Sequence, residues 1–253
     1  MHSDLPFDKI QASGNDFVLI RETPTQAIVA QLCDRRYGVG ADGVMVFRGI
    51  HRGTVQFDHY DPDGSQSFCL NGTRAALDRL RDELPHQGQV ICEQVPMRYQ
   101  LEQKAAVYVH SSPVTPVICH LVGNGLPGFF ADPGNPHFVL VDAIPEQQFE
   151  DIAPTIRADE SLHLGGVNAH LVIKDGHQWR IRSYERGVEG FTLACGSGII
   201  AAALTLHHLK HPGPFLFKPE GKGQIHVSIR DSMLKMTGDT QWVASGVWKC
   251  GSS

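Results

Sequence analysis

The chain has 253 residues, of which 42% are hydrophobic and 19% charged. That is long enough for one large domain or two of ordinary size, and apolar enough for a real core. A formal charge of −5 and no local run of Lys or Arg exclude a basic face for nucleic acid. The longest apolar run, 199–204, is far short of a membrane span. The start, Met1-His2-Ser3-Asp4, lacks the basic and apolar regions of a signal peptide, so a cytoplasmic protein is expected. Its cysteines, at 33, 69, 92, 119, 195 and 250, form no C-x-x-C pair and are expected reduced.

In chain order, short β-rich runs bounded by turn residues predict a turn and strand within 14–20, strands at 43–47, 53–58, 89–94, 105–110 and 117–122, a turn and strand within 134–141, and strands at 170–174, 179–183, 224–229 and 233–237. Leu77, Leu80 and Leu84 predict a helix over 74–84, ended by Pro85. A mostly apolar stretch predicts a buried helix over 199–209, stopped by Pro212. Each half then has many strands and one central helix, an α+β pattern rather than alternating βαβ units. The Gly- and Pro-rich stretch 123–136 is the expected region of domain change.

The two halves echo each other. Gly14-Asn15-Asp16-Phe17-Val18 resembles Gly134-Asn135-Pro136-His137-Phe138, a turn followed by a strand. Downstream, Cys69-Leu70-Asn71-Gly72 and Cys195-Gly196-Ser197-Gly198 each open a helix. A repeat of this length, too long for a solenoid, predicts two similar domains. Their bounds are read as 1–115 and 116–253, with the last strand a candidate for return to the N-terminal domain.

Both repeat cysteines stand at a helix N-terminus, where unpaired backbone N–H groups and the positive end of the dipole gather. Such a position is expected to lower a thiol pKa and to bind a carboxylate on the N–H groups of Asn71-Gly72 and Gly196-Ser197. One thiolate could remove an α-proton from one face of an amino acid while the other thiol returns a proton to the opposite face. Hydrogen bonds to the carboxylate in a dry site would stabilise the carbanion. Other readings of the same residues stay open. The cysteines could be small packing residues, a pair that oxidises to a disulfide, or part of a cysteine hydrolase with His137 as base. His207, His208 and His211 lack partners at metal spacing, so no metal is expected.

These motifs resemble the diaminopimelate epimerase family over most of the chain. The likeness rests on Ser13-Gly14-Asn15-Asp16-Phe17, Gly38-Val39-Gly40-Ala41-Asp42-Gly43, Asp61-Pro62-Asp63-Gly64-Ser65, Gly134-Asn135-Pro136-His137, Gly166-Val167-Asn168, Tyr184-Glu185-Arg186-Gly187 and Thr192-Leu193-Ala194-Cys195-Gly196-Ser197-Gly198. The resemblance implies two pseudo-symmetric α+β domains, each a strongly curved sheet around a central helix, with the active site in the cleft between them. It implies no pyridoxal phosphate, no other cofactor and no metal. It implies Cys69 and Cys195 as the acid/base pair, with His137 and Glu185 adjusting the thiol pKa values. Asn15, Asn135, Asn168, Glu185 and Arg186 would hold the substrate's amino groups and distal end. The backbone of Asn71, Gly196 and Ser197 would hold its carboxylate. A small amino-acid substrate, a homodimer and no nucleic-acid or membrane partner are the expected associations.

Two positions depart from the family pattern. Leu70 stands where the family usually has glycine; it still donates its N–H but cannot use positive φ freely. Asp61 stands where an asparagine usually helps bind the distal end; an aspartate repels a distal carboxylate and suits a distal cation. The leading expectation is interconversion of LL- and meso-diaminopimelate in lysine and peptidoglycan biosynthesis. A racemase of a basic amino acid such as histidine, lysine or ornithine is the first alternative, and a non-catalytic amino-acid-binding relative the second.

Overall fold

The computed structural model describes residues 4–110, 116–121 and 125–249. The chain divides into two compact units. One holds the residues through Val107 together with those from Gly238 onward, and the other is Tyr108–Thr237.

The first unit contains β1 (Leu5–Ala12), β2 (Asn15–Ile20), α1 (Gln26–Cys33), β3 (Gly43–His51), β4 (Thr54–Tyr60), α2 (Leu70–Arg79), β5 (Gln87–Cys92) and β6 (Val95–Leu101). The chain passes onward along β7 (Ala105–His110). The second unit contains β8 (Val117–His120), β9 (Pro127–Ala131), β10 (His137–Val141), α3 (Glu146–Arg157), β11 (Asn168–Asp175), β12 (Gln178–Glu185), β13 (Gly190–Thr192), α4 (Gly196–His208), β14 (Phe215–Pro219) and β15 (Ile225–Arg230). The chain returns along β16 (Met233–Gly238), and β17 (Thr240–Trp248) joins the first unit.

The repeat is visible in the pairing. The first sheet runs β17-β1-β2-β3-β4-β5-β6, and the second runs β8-β9-β10-β11-β12-β14-β15. Parallel and antiparallel contacts follow one order in both: the third and fourth strands of each sheet, β2/β3 and β10/β11, are parallel, and so are the fifth and sixth, β4/β5 and β12/β14. The position that β8 fills in the second sheet is filled in the first by β17, the last strand of the chain.

Strand alternation sends successive side chains to opposite faces. In β2, Val18 and Ile20 join Val29, Leu32 and Cys33 of α1 in one core cluster. In the second unit, Phe138, Leu140, Ala169 and Leu171 pack with Phe149, Ala153 and Ile156 of α3. The other face covers the second helix of the unit: a Cβ on Gly72 of α2 would meet Met45 and Phe17, and one on Gly198 of α4 would meet His170. Most of α4 is buried all round, from Gly196 to Leu206 except Ser197, as its apolar composition requires.

Among the described residues each unit therefore has two α-helices where the sequence pattern predicts one. α1 is only eight residues long, capped by Thr25, whose side chain accepts the Ile28 N–H. α3 carries Pro154 inside it, a residue that reads as a break. Yet Phe149, Ala153 and Ile156, at i, i+4 and i+7, seat it on the sheet. The stretch 123–136 is not the place where the units divide. It contains β9, where Gly128 lets the Phe138 ring lie against the backbone; a Cβ there would come within 2.3 Å of that ring. Residue 122, the end of the expected 117–122 strand, and residues 123–124, the start of the 123–136 stretch, lie outside the described residues, as does Cys250. Among the described residues no helix is long and apolar enough to cross a membrane.

Candidate active site

In the first unit the strand pair β3–β4 leads through a turn at Asp61–Gly64 into α2. Gly64 N donates to Asp61 O, and Asp61 N to Ser65 O, each at 2.8 Å. Cys69 is the N-cap of α2, with extended φ/ψ of −132° and 108°. Its Sγ accepts the Gly72 N–H at 3.4 Å, and its carbonyl accepts the Thr73 hydroxyl at 2.7 Å. The helix begins at Leu70 rather than Arg74, because Asn71-Gly72, read as a turn, winds into the first turn, with Gly72 close under Met45 and Phe17. The first turn of any helix has amide groups with no acceptor inside the helix.

Asn15 reaches this turn: Asn71 Nδ2 donates to Asn15 Oδ1 at 3.2 Å, and Asn15 Nδ2 donates to Asp42 at 2.8 Å. Asp42 is held in turn by Arg35 at 2.6 Å, which also pairs with Asp16 at 2.8 Å. Burial alone would raise the Asp16 carboxyl, but hydrogen bonds from Arg35 and Lys9 outweigh it and hold it below the usual carboxylate range. Asn15 is thus oriented by an ion network, since an amide held at both ends cannot flip.

Arg74, one turn into α2, is completely buried, and its Nε and one Nη have no hydrogen-bond partner. Burial pulls its guanidinium down to about 10, and Cys69 in its thiolate form opposes that pull. The sequence reading passed over Arg74 because a basic residue in a helix is by default a solvated one.

In the second unit Cys195 caps α4 with φ −108° and ψ 108° and is 5% exposed. Its thiol is not lowered, as a helix cap predicts. Burial, then the Glu185 carboxylate to which it is hydrogen-bonded, push it well above the ordinary thiol range. Glu185 sits at the end of β12, paired with Gly190 of β13, and accepts the Thr192 hydroxyl. Ser197 Oγ lies 3.8 Å from Cys195 Sγ.

Asn168, at the start of β11, joins the segments that carry these groups. Its Nδ2 donates to Pro136 O at 3.1 Å, and its Oδ1 accepts the Arg186 N–H at 2.9 Å. The Arg186 side chain reaches Gly166 O at 3.5 Å. Asn135 is half-buried in the turn before β10.

His137 is fully buried, with Nδ1 2.8 Å from Nε2 of His170. His170 Nδ1 is 2.9 Å from Ser183 Oγ. Burial holds both rings neutral, with His170 lowered to about 3; His170 and Arg186 add to the lowering of His137. A nitrogen from each ring and Cys195 Sγ all lie within 4.8 Å of one another. Three such donors can ligate zinc. Here, however, two of the ring nitrogens are committed to each other, and the positive end of α4 and Arg186 oppose a cation.

The structure therefore groups Asn15, Asn71 and Cys69 in one unit, and His137, Asn168, Glu185, Arg186, Cys195 and Ser197 in the other. His170, Ser183, Arg74 and Asp42 were not singled out as site residues from sequence.

A profile of the diaminopimelate epimerase family matches residues 129–243. The diaminopimelate epimerase of Methanopyrus kandleri is 31% identical over 91% of this chain and 84% of its own. A phenazine biosynthesis protein of the PhzF family from Enterococcus faecalis superposes with a TM-score of 0.73 at 13% identity, covering 98% of this chain and all of that one. A hydroxyproline epimerase from Agrobacterium vitis gives 0.67 at 11% identity, over 97% and 92%. The repeated α+β units give the chain the fold of these two structures. Within it, the chain belongs to the diaminopimelate epimerase family and is an isomerase of that type.

Proposed function

We propose that the protein inverts the α-carbon of an amino acid by proton transfer between two cysteines, without a cofactor, and that its substrate is diaminopimelate. The observation that carries this reading is the repetition of one device: Cys69 and Cys195 occupy equivalent helix caps after equivalent strands. As thiolate, one takes the α-proton; as thiol, the other delivers a proton to the opposite face. The sum of charge and protons is unchanged, and the two exchange roles in reverse. The first-turn amides of α2 and α4 supply donors for the substrate carboxylate, where charge builds up in the carbanion. Asn15, Asn135, Asn168 and Arg186 are the groups proposed to hold the amino groups and distal end.

Asp61 favours a second reading, a substrate with a distal cation. A carboxylate at the distal end repels a second carboxylate and attracts an ammonium or imidazolium. If so, Asp61→Asn shifts the kcat/KM ratio of diaminopimelate over lysine or ornithine toward diaminopimelate by about tenfold, the equivalent of about 1.4 kcal/mol. An unchanged ratio removes Asp61 from the specificity determinants.

The test of the main reading is loss of the α-proton NMR signal in D₂O, with reduced protein and no cofactor, on LL-diaminopimelate and separately on histidine, lysine and ornithine. Exchange on diaminopimelate that disappears in both Cys69→Ser and Cys195→Ser supports it. Undiminished exchange in either variant sinks the two-thiol mechanism. A homodimer is proposed on the family likeness and is read from sedimentation equilibrium.

A further inference from the structure

The repeat makes a residue-by-residue comparison possible beneath the two helix caps. In the first unit the parallel pair β2/β3 aligns Phe17 with Gly43 and Leu19 with Met45, and β4 sets His59 opposite Met45. In the second, β10/β11 aligns His137 with Asn168 and Val139 with His170, and β12 sets Ser183 opposite His170. So Phe17 corresponds to His137, Met45 to His170 and His59 to Ser183. The third residue after each cysteine, Gly72 or Gly198, lies on Met45 or His170 respectively. Where the first unit puts an apolar pair under its cysteine helix, the second puts two imidazoles and a hydroxyl, all buried.

We infer that His170, fixed by Ser183, is the positioning residue for the Cys195 side of the site: it donates its Nε2–H to His137 Nδ1 and so leaves the proton of His137 on Nε2, as a donor for the Cys195 thiolate. This rests on the reading of Cys195 as a reacting thiol. Three observations carry it. The Nδ1···Nε2 distance of 2.8 Å uses up one nitrogen of each ring, and Ser183 Oγ at 2.9 Å engages the other nitrogen of His170. His137 Nε2 is buried with no partner, and a nitrogen of the His137 ring lies within 4.8 Å of Cys195 Sγ. A Cβ on Gly198 would stand 2.3 Å from His170 Cε1 and 2.7 Å from its Nε2, so the ring lies against the first turn of α4 and has no room to tilt. The positive end of that helix disfavours an imidazolium, which keeps the pair neutral and makes its tautomers the controlling variable. A neutral imidazole donates from one nitrogen only, and the hydrogen bond at the other selects which. The two thiolates are thereby supported differently: Cys69 by the field of a buried guanidinium, Cys195 by an imidazole N–H.

The experiment has two arms, and the first needs no substrate. Long-range ¹H–¹⁵N correlation spectra of the ¹⁵N-labelled full chain at neutral pH should show His137 and His170 both neutral with the proton on Nε2, assigned by comparison with His170→Gln. Either ring charged, or protonated on Nδ1, overturns the inference whatever the protein's substrate proves to be. In the second arm, His170→Gln retains an N–H donor at the place of Nε2, whereas His170→Met installs the residue of the first unit. Deuterium exchange should keep its rate within about threefold in His170→Gln and lose about tenfold to a hundredfold in kcat, with little change in KM, in His170→Met. Equal losses in both variants overturn it. Absence of exchange on every amino acid in the wild type, with the expected tautomers present, overturns the proposed function and leaves the hydrogen-bonded pair standing.

Discussion

At Cys195 two effects of one location compete. The end of α4 favours the thiolate, but removing the sulfur from water and setting it beside Glu185 favours the thiol, and the second effect prevails. A buried thiol hydrogen-bonded to a carboxylate is poised to keep its proton until a donor or a substrate cation arrives. Replacing Glu185 with Gln removes the negative charge and keeps the shape, so the Cys195 thiol should titrate at lower pH. The ¹³Cβ shift of labelled cysteine reads the midpoint, and an unmoved midpoint would show that burial alone sets it. The cysteines were legible in the sequence because a small polar turn before an apolar run marks a helix start. Their polar supports were not. His170 sits among Asn168, Ala169, Leu171 and Val172 in a strand whose pattern gives no cue that one polar side chain faces inward. The expected drop in thiol pKa failed because position along a helix can be read from sequence, whereas depth of burial cannot.

Glycine at the third helical position matters unequally in the two repeats. At Gly198 an added methyl would meet the ring of His170 at 2.3 Å, with that ring fixed on both sides. At Gly72 it would meet the Met45 Sδ at 2.5 Å, the flexible end of a thioether. Gly198→Ala should therefore cost about 2–3 kcal/mol, as overpacking of a rigid core does, and Gly72→Ala about 1 or less. Urea midpoints of the two variants test the order, and equal costs would mean that His170 moves as freely as Met45. Most of the expected strands are present, with shifted ends. The strands and helices that escaped, such as α1 and α3, are short or interrupted by proline, and they are held by contact with the sheet rather than by their own periodicity.

Across the whole molecule, buried neutral histidines couple stability to pH. His137 and His170 have folded-state values below the ordinary 6.5, so below that pH the unfolded chain binds more protons than the folded one. Stability is therefore fully present above pH 6.5 and falls as pH drops toward about 3 for His170, at about 1.4 kcal/mol per pH unit for each ring. Thermal midpoints between pH 7 and 4 should fall less steeply in His170→Met than in the wild type; parallel slopes would remove His170 from the account. The internal repeat predicts two units, and a return of the last strand to the first was expected, but the division after residue 107 was not, because it falls within a continuous strand, β7, and leaves no local signal. The β1–β17 register runs from Leu5 opposite Trp248 to Ala12 opposite Thr240, so truncation after Asp239 should leave the first unit unfolded. A cooperative wild-type-like transition in the truncated chain would contradict that.

That same pairing sets an order of events during synthesis. Every strand of the second unit's sheet is contiguous in sequence, so it can close while translation continues. The sheet of the first unit must wait with β1 unpaired on one side until the ribosome has released β17. An early strand thus spends most of its translation time exposed, available to chaperones and to neighbouring nascent chains alike.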